Sequence, residues 1–322
     1  MTTKTLTVKI GDKGTRLDVF LTEKLKISRS QIQKMITAGQ MTVNGIQPQK
    51  MGLTLKTSDK ITITKDPEIA KDAKPEFTIK DIKIAAETPD YIIVEKPTGM
   101  LTHSTTRDEP DSLAYLLAKK YPELNKVGDN TKLRPGIVHR LDKEASGLLI
   151  VARTQSMFAN LKNQFQSRTI HKEYLALAHG QISRDEGKLS FRIGRSETSD
   201  RMAAMPETEK GLFSDTGKDA DTDFEVEKRF INFTLVRVKI KTGRMHQIRA
   251  HFLAYNHPLC GDPLYFQRKR PNKTDKKLGR LFLHCAILGF VDLNGEYKEF
   301  ASALPKTLVD FMAGLKPPRT LK

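Results

Sequence analysis

The sequence lacks the residues on which disulfide frameworks and many metal centres depend. Its 322 residues include two cysteines and no tryptophan. Cys260 and Cys285 have no paired spacing, which argues against a disulfide or a thiolate zinc site and predicts two small buried hydrophobes. His246 and His251 are five residues apart, whereas two ligands on one helical face need a spacing of three or four. We therefore expect no metal site.

Long apolar segments are also missing. No apolar run approaches the roughly 20 residues that a membrane-spanning helix needs. The N-terminus, residues 1–6, has no apolar core of the kind that signal peptides carry. These two absences predict a cytoplasmic protein with no membrane partner. A chain of this length has room for one large domain and one small domain.

Acidic residues are few relative to basic ones. There are 55 Lys and Arg against 38 Asp and Glu, which gives a net charge of +17. The excess is concentrated in residues 1–65, with twelve basic and four acidic residues, and in residues 268–280, with seven and one. A polyanion is therefore the expected partner. A membrane surface would call for a basic amphipathic helix or a lipidation signal, and the sequence has neither.

The N-terminal part of the chain has the pattern of a compact α/β module. Apolar residues at helical spacing predict a first helix over residues 16–25. Ser28 begins a capping-box pattern, which predicts a second helix that ends at Gly39. Short strands are expected at residues 41–43 and 60–63.

This module resembles the S-four type RNA-binding domain. The similarity is carried by Arg16-Leu-Asp, Ser28-Arg, Val43-Asn-Gly and Asp59-Lys-Ile. It implies an RNA-binding domain over residues 14–64, in which Arg16, Arg29 and Lys34 face RNA phosphates. The alternative is that these side chains are only the solvated faces of two amphipathic helices. Residues 65–76 alternate in charge, contain two prolines and show no apolar period, so they are expected to be a linker.

A second pattern lies in the middle of the chain, at residues 134–153. A turn at Pro135-Gly136 precedes Arg140 and Asp142, and the apolar run 148–151 then predicts a short buried strand. If the polar segment is extended, Arg140 and Asp142 lie on the same face. For an isolated Arg-x-Asp, an ordinary surface ion pair would be the better interpretation.

The whole segment, however, resembles the catalytic signature of the RluA family of pseudouridine synthases. The strand and turn at residues 91–99 resemble the segment that precedes this signature in the family. The resemblance implies an α+β protein, in which the small module is followed by a catalytic domain over residues 77–322 with a mixed, mostly antiparallel sheet. It also implies that Asp142 is the catalytic aspartate. The sequence leaves open whether Asp142 attacks the nucleoside or takes a proton from its sugar.

Further site residues follow from the same resemblance. Tyr174 is expected to stack against the target base, the alternative being a core tyrosine. We predict a helix that begins near Arg244 with Thr242 as its N-cap, and an ion pair between Arg244 and Asp142, the alternative being a solvent-facing arginine. Arg140 is expected to displace the target base from paired RNA, and Leu283 is expected to pack against the pocket.

The expected reaction breaks the bond from ribose to the uracil nitrogen and rejoins ribose to a ring carbon. Such an isomerisation needs no redox or phosphoryl chemistry, so we expect no cofactor. The expected partner is structured RNA, above all large-subunit ribosomal RNA, bound by a monomer; DNA is not expected. Two alternatives stay open: a pseudouridine synthase that acts on transfer RNA, and a non-catalytic RNA-binding factor of ribosome assembly.

Overall fold

The computed structural model describes residues 4–25, 32, 35, 36, 38–48, 50, 52–64, 77–104, 111–196, 201–205, 217–266 and 273–318. The chain divides into two compact units. One comprises residues 1–76 and 104–110, and the other comprises residues 77–103 and 111–322. The predicted linker at residues 65–76 lies outside the described residues, so the boundaries at 14–64 and 77–322 stay predictions.

The first unit is built on a three-stranded antiparallel sheet in the order β1-β3-β2, formed by β1 (Lys4–Thr7), β2 (Met41–Val43) and β3 (Lys60–Ile63). Helix α1 (Leu17–Leu25) buries Leu17, Phe20 and Leu21 in its core. The predicted first helix and both strands are thus confirmed. Most of the second predicted helix lies outside the described residues.

The second unit is dominated by a nine-stranded sheet. Its order is β4-β5-β6-β13-β7-β12-β11-β8, with β14 paired to β13. The strands are β4 (Lys83–Glu87), β5 (Tyr91–Lys96), β6 (Ser146–Ala152), β7 (His171–His179), β8 (Glu186–Leu189), β11 (Thr222–Arg229), β12 (Phe233–Ile240), β13 (Leu283–Val291) and β14 (Tyr297–Ala301). Strands β9 (Arg192–Arg195) and β10 (Met202–Met205) form a separate hairpin.

Every pairing in the large sheet is antiparallel except β6 with β13, which is parallel. The predicted α+β class with a mixed, mostly antiparallel sheet is therefore confirmed. The parallel pair forms at the start of β6, where Gly147 has φ +115° and lies opposite Cys285. A Cβ at Gly147 would stand 2.3 Å from the Cys285 carbonyl oxygen, so only glycine fits this approach.

The described residues of this unit form five α-helices: α2 (Leu113–Lys120), α3 (Gln155–Ser167), α4 (Gln247–Ala254), α5 (Lys273–Leu278) and α6 (Lys306–Ala313). Thr154 Oγ1 accepts a hydrogen bond from the Met157 amide and caps α3. Within the described ranges, no helix is both long enough and apolar enough to cross a membrane.

Candidate active site

The loop that carries Asp142 precedes β6 and is held in place by the turn that follows β5. Thr102 Oγ1 donates a hydrogen bond to the Leu141 carbonyl (2.8 Å) and accepts one from the Leu141 amide (3.2 Å). The Gly99 amide donates to the Lys143 carbonyl (2.7 Å). These bonds fix the backbone on both sides of Asp142, so the position of its carboxylate is set before any substrate arrives.

A buried lysine completes this support. Lys96 is 1% exposed, and its ammonium donates hydrogen bonds to the carbonyls of Pro97 (2.8 Å), Met100 (2.9 Å) and Lys143 (3.2 Å). Burial lowers the pKa of Lys96 to about 7, while the negative charge of Asp142 acts to raise it. One side chain therefore ties the β5 turn to the loop of Asp142.

Five of the eight predicted site residues line one cavity of about 500 Å³. They are Arg140, Asp142, Tyr174, Arg244 and Leu283. Their backbones come from four separate segments of the chain: the loop before β6, strand β7, the segment before α4 and the start of β13. The sheet order brings these segments together, because β13 lies between β6 and β7.

The other three predicted residues belong to the N-terminal unit. Arg16 is 31% exposed and donates two hydrogen bonds, each of 3.1 Å, to the buried carboxylate of Asp18. Its guanidinium is thus held by the fold of this unit. Arg29 and Lys34 lie outside the described residues. Contact of all three with RNA stays a prediction.

The predicted ion pair between Arg244 and Asp142 is wrong. Arg244 Nε donates to the Asp219 carbonyl (3.1 Å), whereas the cation beside Asp142 is Arg249, whose Nη1 lies 3.3 Å from Oδ2. The physical reason is the position of the helix. His246 adopts the left-handed conformation with φ +54°, so α4 begins only after it. Arg244 therefore precedes the helix, and Arg249 lies on its buried face.

The predicted N-cap at Thr242 is wrong for the same reason. Thr242 Oγ1 instead donates to Gln247 Oε1 (2.7 Å), which also accepts the Arg244 amide (3.1 Å). The Gln247 amide group donates to the Asp221 carbonyl (2.8 Å) and to Thr222 Oγ1 (3.0 Å). Gln247 thus organises the turn that leads into α4.

Arg249 is fully buried and is shared among three carboxylates. Nε and Nη2 donate to the two oxygens of Asp262 at 2.7 and 2.8 Å, and Nη1 donates to Glu144 (2.9 Å) and to Asp142 (3.3 Å). Burial acts to lower the pKa of Arg249, but hydrogen bonding and charge from Asp262 outweigh it and raise the pKa. The two-point contact with Asp262 fixes the guanidinium plane, so that one nitrogen faces Asp142.

Two neutral side chains form another part of the cavity. Tyr174 on β7 and Leu283 on β13 project from adjacent strands and are both buried. Burial raises the pKa of Tyr174 well above its ordinary value, and the neighbouring Cys285 and Asp142 act in the same direction. The phenol therefore stays protonated. An aromatic ring and an aliphatic side chain of this kind can flank a flat, uncharged base.

His139 anchors the same loop from the opposite end. Its Nε2 accepts the Ile150 amide (3.0 Å), and its ring stacks on Phe165 with centroids 4.7 Å apart. Burial lowers the pKa of His139 to about 3, with a further contribution from Lys172. The imidazole is therefore neutral and serves as an acceptor for strand β6.

Comparison with known proteins identifies the fold and the family. The family model described as RNA pseudouridylate synthase matches residues 90–254, which is 165 of 322 residues. The chain belongs to this family. A model of the S4 domain matches residues 15–61. The family assignment predicted from the sequence is thus confirmed, as is the RNA-binding module at the N-terminus.

Relatives of this RNA pseudouridylate synthase align over nearly its whole length. An uncharacterised RNA pseudouridine synthase of Bacillus subtilis is 36% identical over 313 residues, which covers 97% of each chain. The ribosomal large subunit pseudouridine synthase D of Yersinia pestis is 33% identical and covers 96% of this chain and 94% of its own. The solved human RNA pseudouridylate synthase domain containing 1 is 25% identical, with a TM-score of 0.60, and covers 77% of this chain and 94% of its own.

The predicted enzyme class, an RNA pseudouridine synthase and hence an isomerase, is confirmed by these matches. The matched segment contains Asp142, Tyr174 and Arg249, whereas Asp262 and Leu283 lie beyond it.

Arg249 is the site residue that the sequence analysis missed, although the sequence carried a signal for it. The apolar residues Met245, Ile248 and Phe252 define one face of the predicted helix. Arg249 lies four residues after Met245 and three before Phe252, so it falls on that apolar face. An arginine on such a face is expected to be buried and therefore paired with a carboxylate.

One group of metal-ligand type occurs elsewhere in the described residues. The ligand atoms of His179, Cys260 and Asp275 lie within 4.8 Å of one another. Hydrogen bonds already join them, since Asp275 accepts from His179 Nε2 (3.0 Å) and from Cys260 Sγ (3.1 Å). Burial raises the pKa of the Cys260 thiol, which disfavours the thiolate that a metal would need. The expectation of no metal stays a prediction.

Proposed function

We propose that this RNA pseudouridylate synthase converts specific uridines of large-subunit ribosomal RNA into pseudouridine, with Asp142 as the catalytic residue and without a cofactor. The observation that carries the assignment of Asp142 is that it lines the same cavity as Tyr174 while the buried guanidinium of Arg249 lies 3.3 Å behind its carboxylate. In this isomerisation the bond from the ribose carbon to the uracil nitrogen breaks and a bond from the same ribose carbon to a ring carbon forms. The ring carbon releases its proton to solvent and the freed nitrogen takes one up, so that atoms and charge are conserved.

The arrangement supports each step of the proposed reaction. Arg249 orients the Asp142 carboxylate, which then either adds to the ribose or takes a proton from it. Tyr174 and Leu283 flank the base, so that the detached uracil is held while it turns. Because Tyr174 is a protonated phenol, it serves as a stacking surface and as a hydrogen-bond donor.

A uridine inside paired RNA must leave the helix to reach this cavity. Arg140 is exposed on the loop next to Asp142, and its guanidinium can stack in the space that the base vacates. The choice of ribosomal RNA rests on the relatives of Yersinia pestis and Vibrio species, which are named ribosomal large subunit pseudouridine synthase D.

The test is tritium release from RNA that is labelled at the ring carbon of uracil, with large-subunit ribosomal RNA and transfer RNA compared side by side. Wild-type protein should release tritium from the ribosomal RNA, whereas Asp142→Asn, which is nearly isosteric, should release none and keep its affinity within a few-fold.

Three results would contradict the proposal. Full activity in Asp142→Asn removes this residue from the chemistry. Tritium release from transfer RNA alone would show that transfer RNA, and not ribosomal RNA, is the substrate. Tight binding without release from either RNA would favour the non-catalytic assembly factor.

A further inference from the structure

Lys172 is a buried cation that the proposed chemistry does not use. It lies on β7 two residues before Tyr174, and both side chains line the cavity. Alternate residues of a strand share a face, so Lys172 and Tyr174 are neighbours on the same side of the sheet, about 7 Å apart along the strand. Lys172 is 8% exposed, and its accessible surface opens into the cavity.

The ammonium of Lys172 has no anionic partner within the described part of the chain. Its described contact is with the ring of Phe165, whose centroid lies 5.3 Å from Nζ. The adjacent Glu173 is engaged on the opposite face by His171 (3.0 Å) and Arg237 (2.9 Å). Burial lowers the pKa of Lys172. An ammonium in this state costs folding free energy, since its lost hydration is not replaced by a counter-charge.

The surroundings of Lys172 select for an anion. In the described lining of the cavity, six basic side chains face a single carboxylate, that of Asp142, which is already paired with Arg249. The basic residues are Arg134, Arg140, Arg168, Lys172, Lys241 and Arg244. Uracil and ribose are both neutral, so the phosphodiester is the group of a bound nucleotide that this charge can hold.

We propose that the Lys172 ammonium binds a backbone phosphate next to the target uridine, and so holds the flipped nucleotide while its base rests against Tyr174. This inference rests on the proposed function. The spacing of Lys172 and Tyr174 along the strand is of the size that separates a base from its own backbone phosphate. Charge-assisted hydrogen bonds to the phosphate would supply the partner that the folded protein lacks.

The first test is the salt dependence of RNA affinity for wild type, Lys172→Met and Lys172→Arg, measured with an RNA stem-loop that carries the target uridine. Lys172→Met should bind roughly 10- to 100-fold more weakly. It should also reduce the slope of log affinity against log salt by about 0.7 to 0.9, the value for one phosphate contact. Lys172→Arg should restore most of the slope. Lys306→Met, which removes a lysine paired with Asp310 outside the cavity, should change neither quantity.

The second test locates the phosphate. A neutral methylphosphonate is placed on the 5′ or the 3′ side of the target uridine. At one of these positions wild type should lose affinity, whereas Lys172→Met should show no further loss, because the two changes remove the same contact. Additive losses at both positions, or an unchanged salt slope, overturn the inference.

Protein stability separates binding from a structural role. Methionine keeps the unbranched apolar stem over Phe165 and removes the unpaired charge, so Lys172→Met should unfold at the same temperature as wild type or higher. A lower unfolding temperature together with unchanged affinity would make Lys172 a structural residue.

Failure of the proposed function gives a different result. If Lys172 binds a phosphate but the proposed function is wrong, wild type forms no pseudouridine. The slope of log affinity against log salt would still be smaller for Lys172→Met than for wild type.

Discussion

Arg249→Met tests whether Arg249 holds the active site together. The change leaves Asp262, which is 0% exposed as a side chain, without its cation. Removal of one partner from a buried ion pair costs about 3 to 5 kcal/mol. Asp262 Oδ1 also accepts the amides of Leu264 (2.9 Å) and Tyr265 (3.0 Å), so the lower end of this range applies. For a unit of this size, about 3 kcal/mol corresponds to a fall in Tm of roughly 6 to 12 °C.

The same change should also affect catalysis, because Asp142 loses the nitrogen at 3.3 Å that orients it. The loss of one charge-assisted hydrogen bond predicts a kcat that is roughly 10- to 100-fold lower at saturating RNA. Tritium release gives the rate, and circular dichroism during heating gives Tm.

A double variant separates the two effects. Arg249→Met with Asp262→Asn removes the uncompensated charge but keeps an oxygen for the amides of Leu264 and Tyr265. It should recover most of the lost Tm and remain as slow as the single variant. Arg244→Met is the matched control, since the described hydrogen bond of its guanidinium goes to a carbonyl at the protein surface. This variant should keep its Tm within about 2 °C. A double variant that regains full activity, or an Arg244→Met that is slower than Arg249→Met, would refute this reasoning.

Two further predictions concern the strands that carry the site. Gly147→Ala would force a Cβ against the Cys285 backbone and should lower the free energy of unfolding by about 3 kcal/mol or more. Gly295 has φ +80° and open space around it, so Gly295→Ala should lower the free energy of unfolding by about 1 kcal/mol. Urea unfolding measures both values, and equal losses would contradict the close approach at Gly147. Burial lowers the pKa of His284 to about 4. As the pH falls, the unfolded chain therefore takes up a proton on this residue near pH 6.5, whereas the folded protein takes it up only near pH 4. Between these pH values the free energy of unfolding should decrease with acidification by up to about 1.4 kcal/mol per pH unit. In His284→Asn the fall should be shallower, and equal slopes in urea titrations between pH 4 and 6.5 would exclude His284 as the cause.

Burial keeps His284 neutral, and the hydrogen bonds around it are compatible with one neutral tautomer of the ring. Arg280 Nη2 donates to Ser146 Oγ (2.6 Å), whose hydroxyl is then free to donate to His284 Nδ1 (3.0 Å). Nε2 of the same ring contacts Ser302 Oγ (3.1 Å) as the donor. The positive charge of the nearby Arg280 also acts to lower the pKa of this ring.

Local patterns in the sequence were sufficient for many of the elements. Helix α1 was predicted over residues 16–25, because its apolar residues recur at helical spacing, and it occupies Leu17–Leu25. The segment around Asp142 was found because a turn, a polar group and an apolar run follow one another there. In both cases the information lies within about ten residues of sequence.

The sequence could not reveal which charges meet. Arg249 reaches Asp142 across 107 positions, and Lys96 reaches the Lys143 carbonyl across 47. The first contact depends on the strand order β6-β13-β7-β12 and the second on the pairing of Lys96 on β5 with Gly147 on β6, and no local pattern encodes either of them. The error over Arg244 shows the same limit, because a single residue in the left-handed conformation, His246, moves the start of α4 and with it the arginine that enters the core.

Asp142 lies at the boundary between two regions of opposite charge. On the buried side, three carboxylates share the guanidinium of Arg249, so this cluster has an excess of negative charge. On the cavity side, six basic side chains provide an excess of positive charge. On the function proposed above, RNA phosphates would meet the second region but not the first, since Arg249 and Asp262 are fully buried. Binding of RNA would then satisfy the cations of the cavity without competing for the guanidinium beside Asp142, so that one small site could hold a polyanion next to the carboxylate that we propose as catalytic.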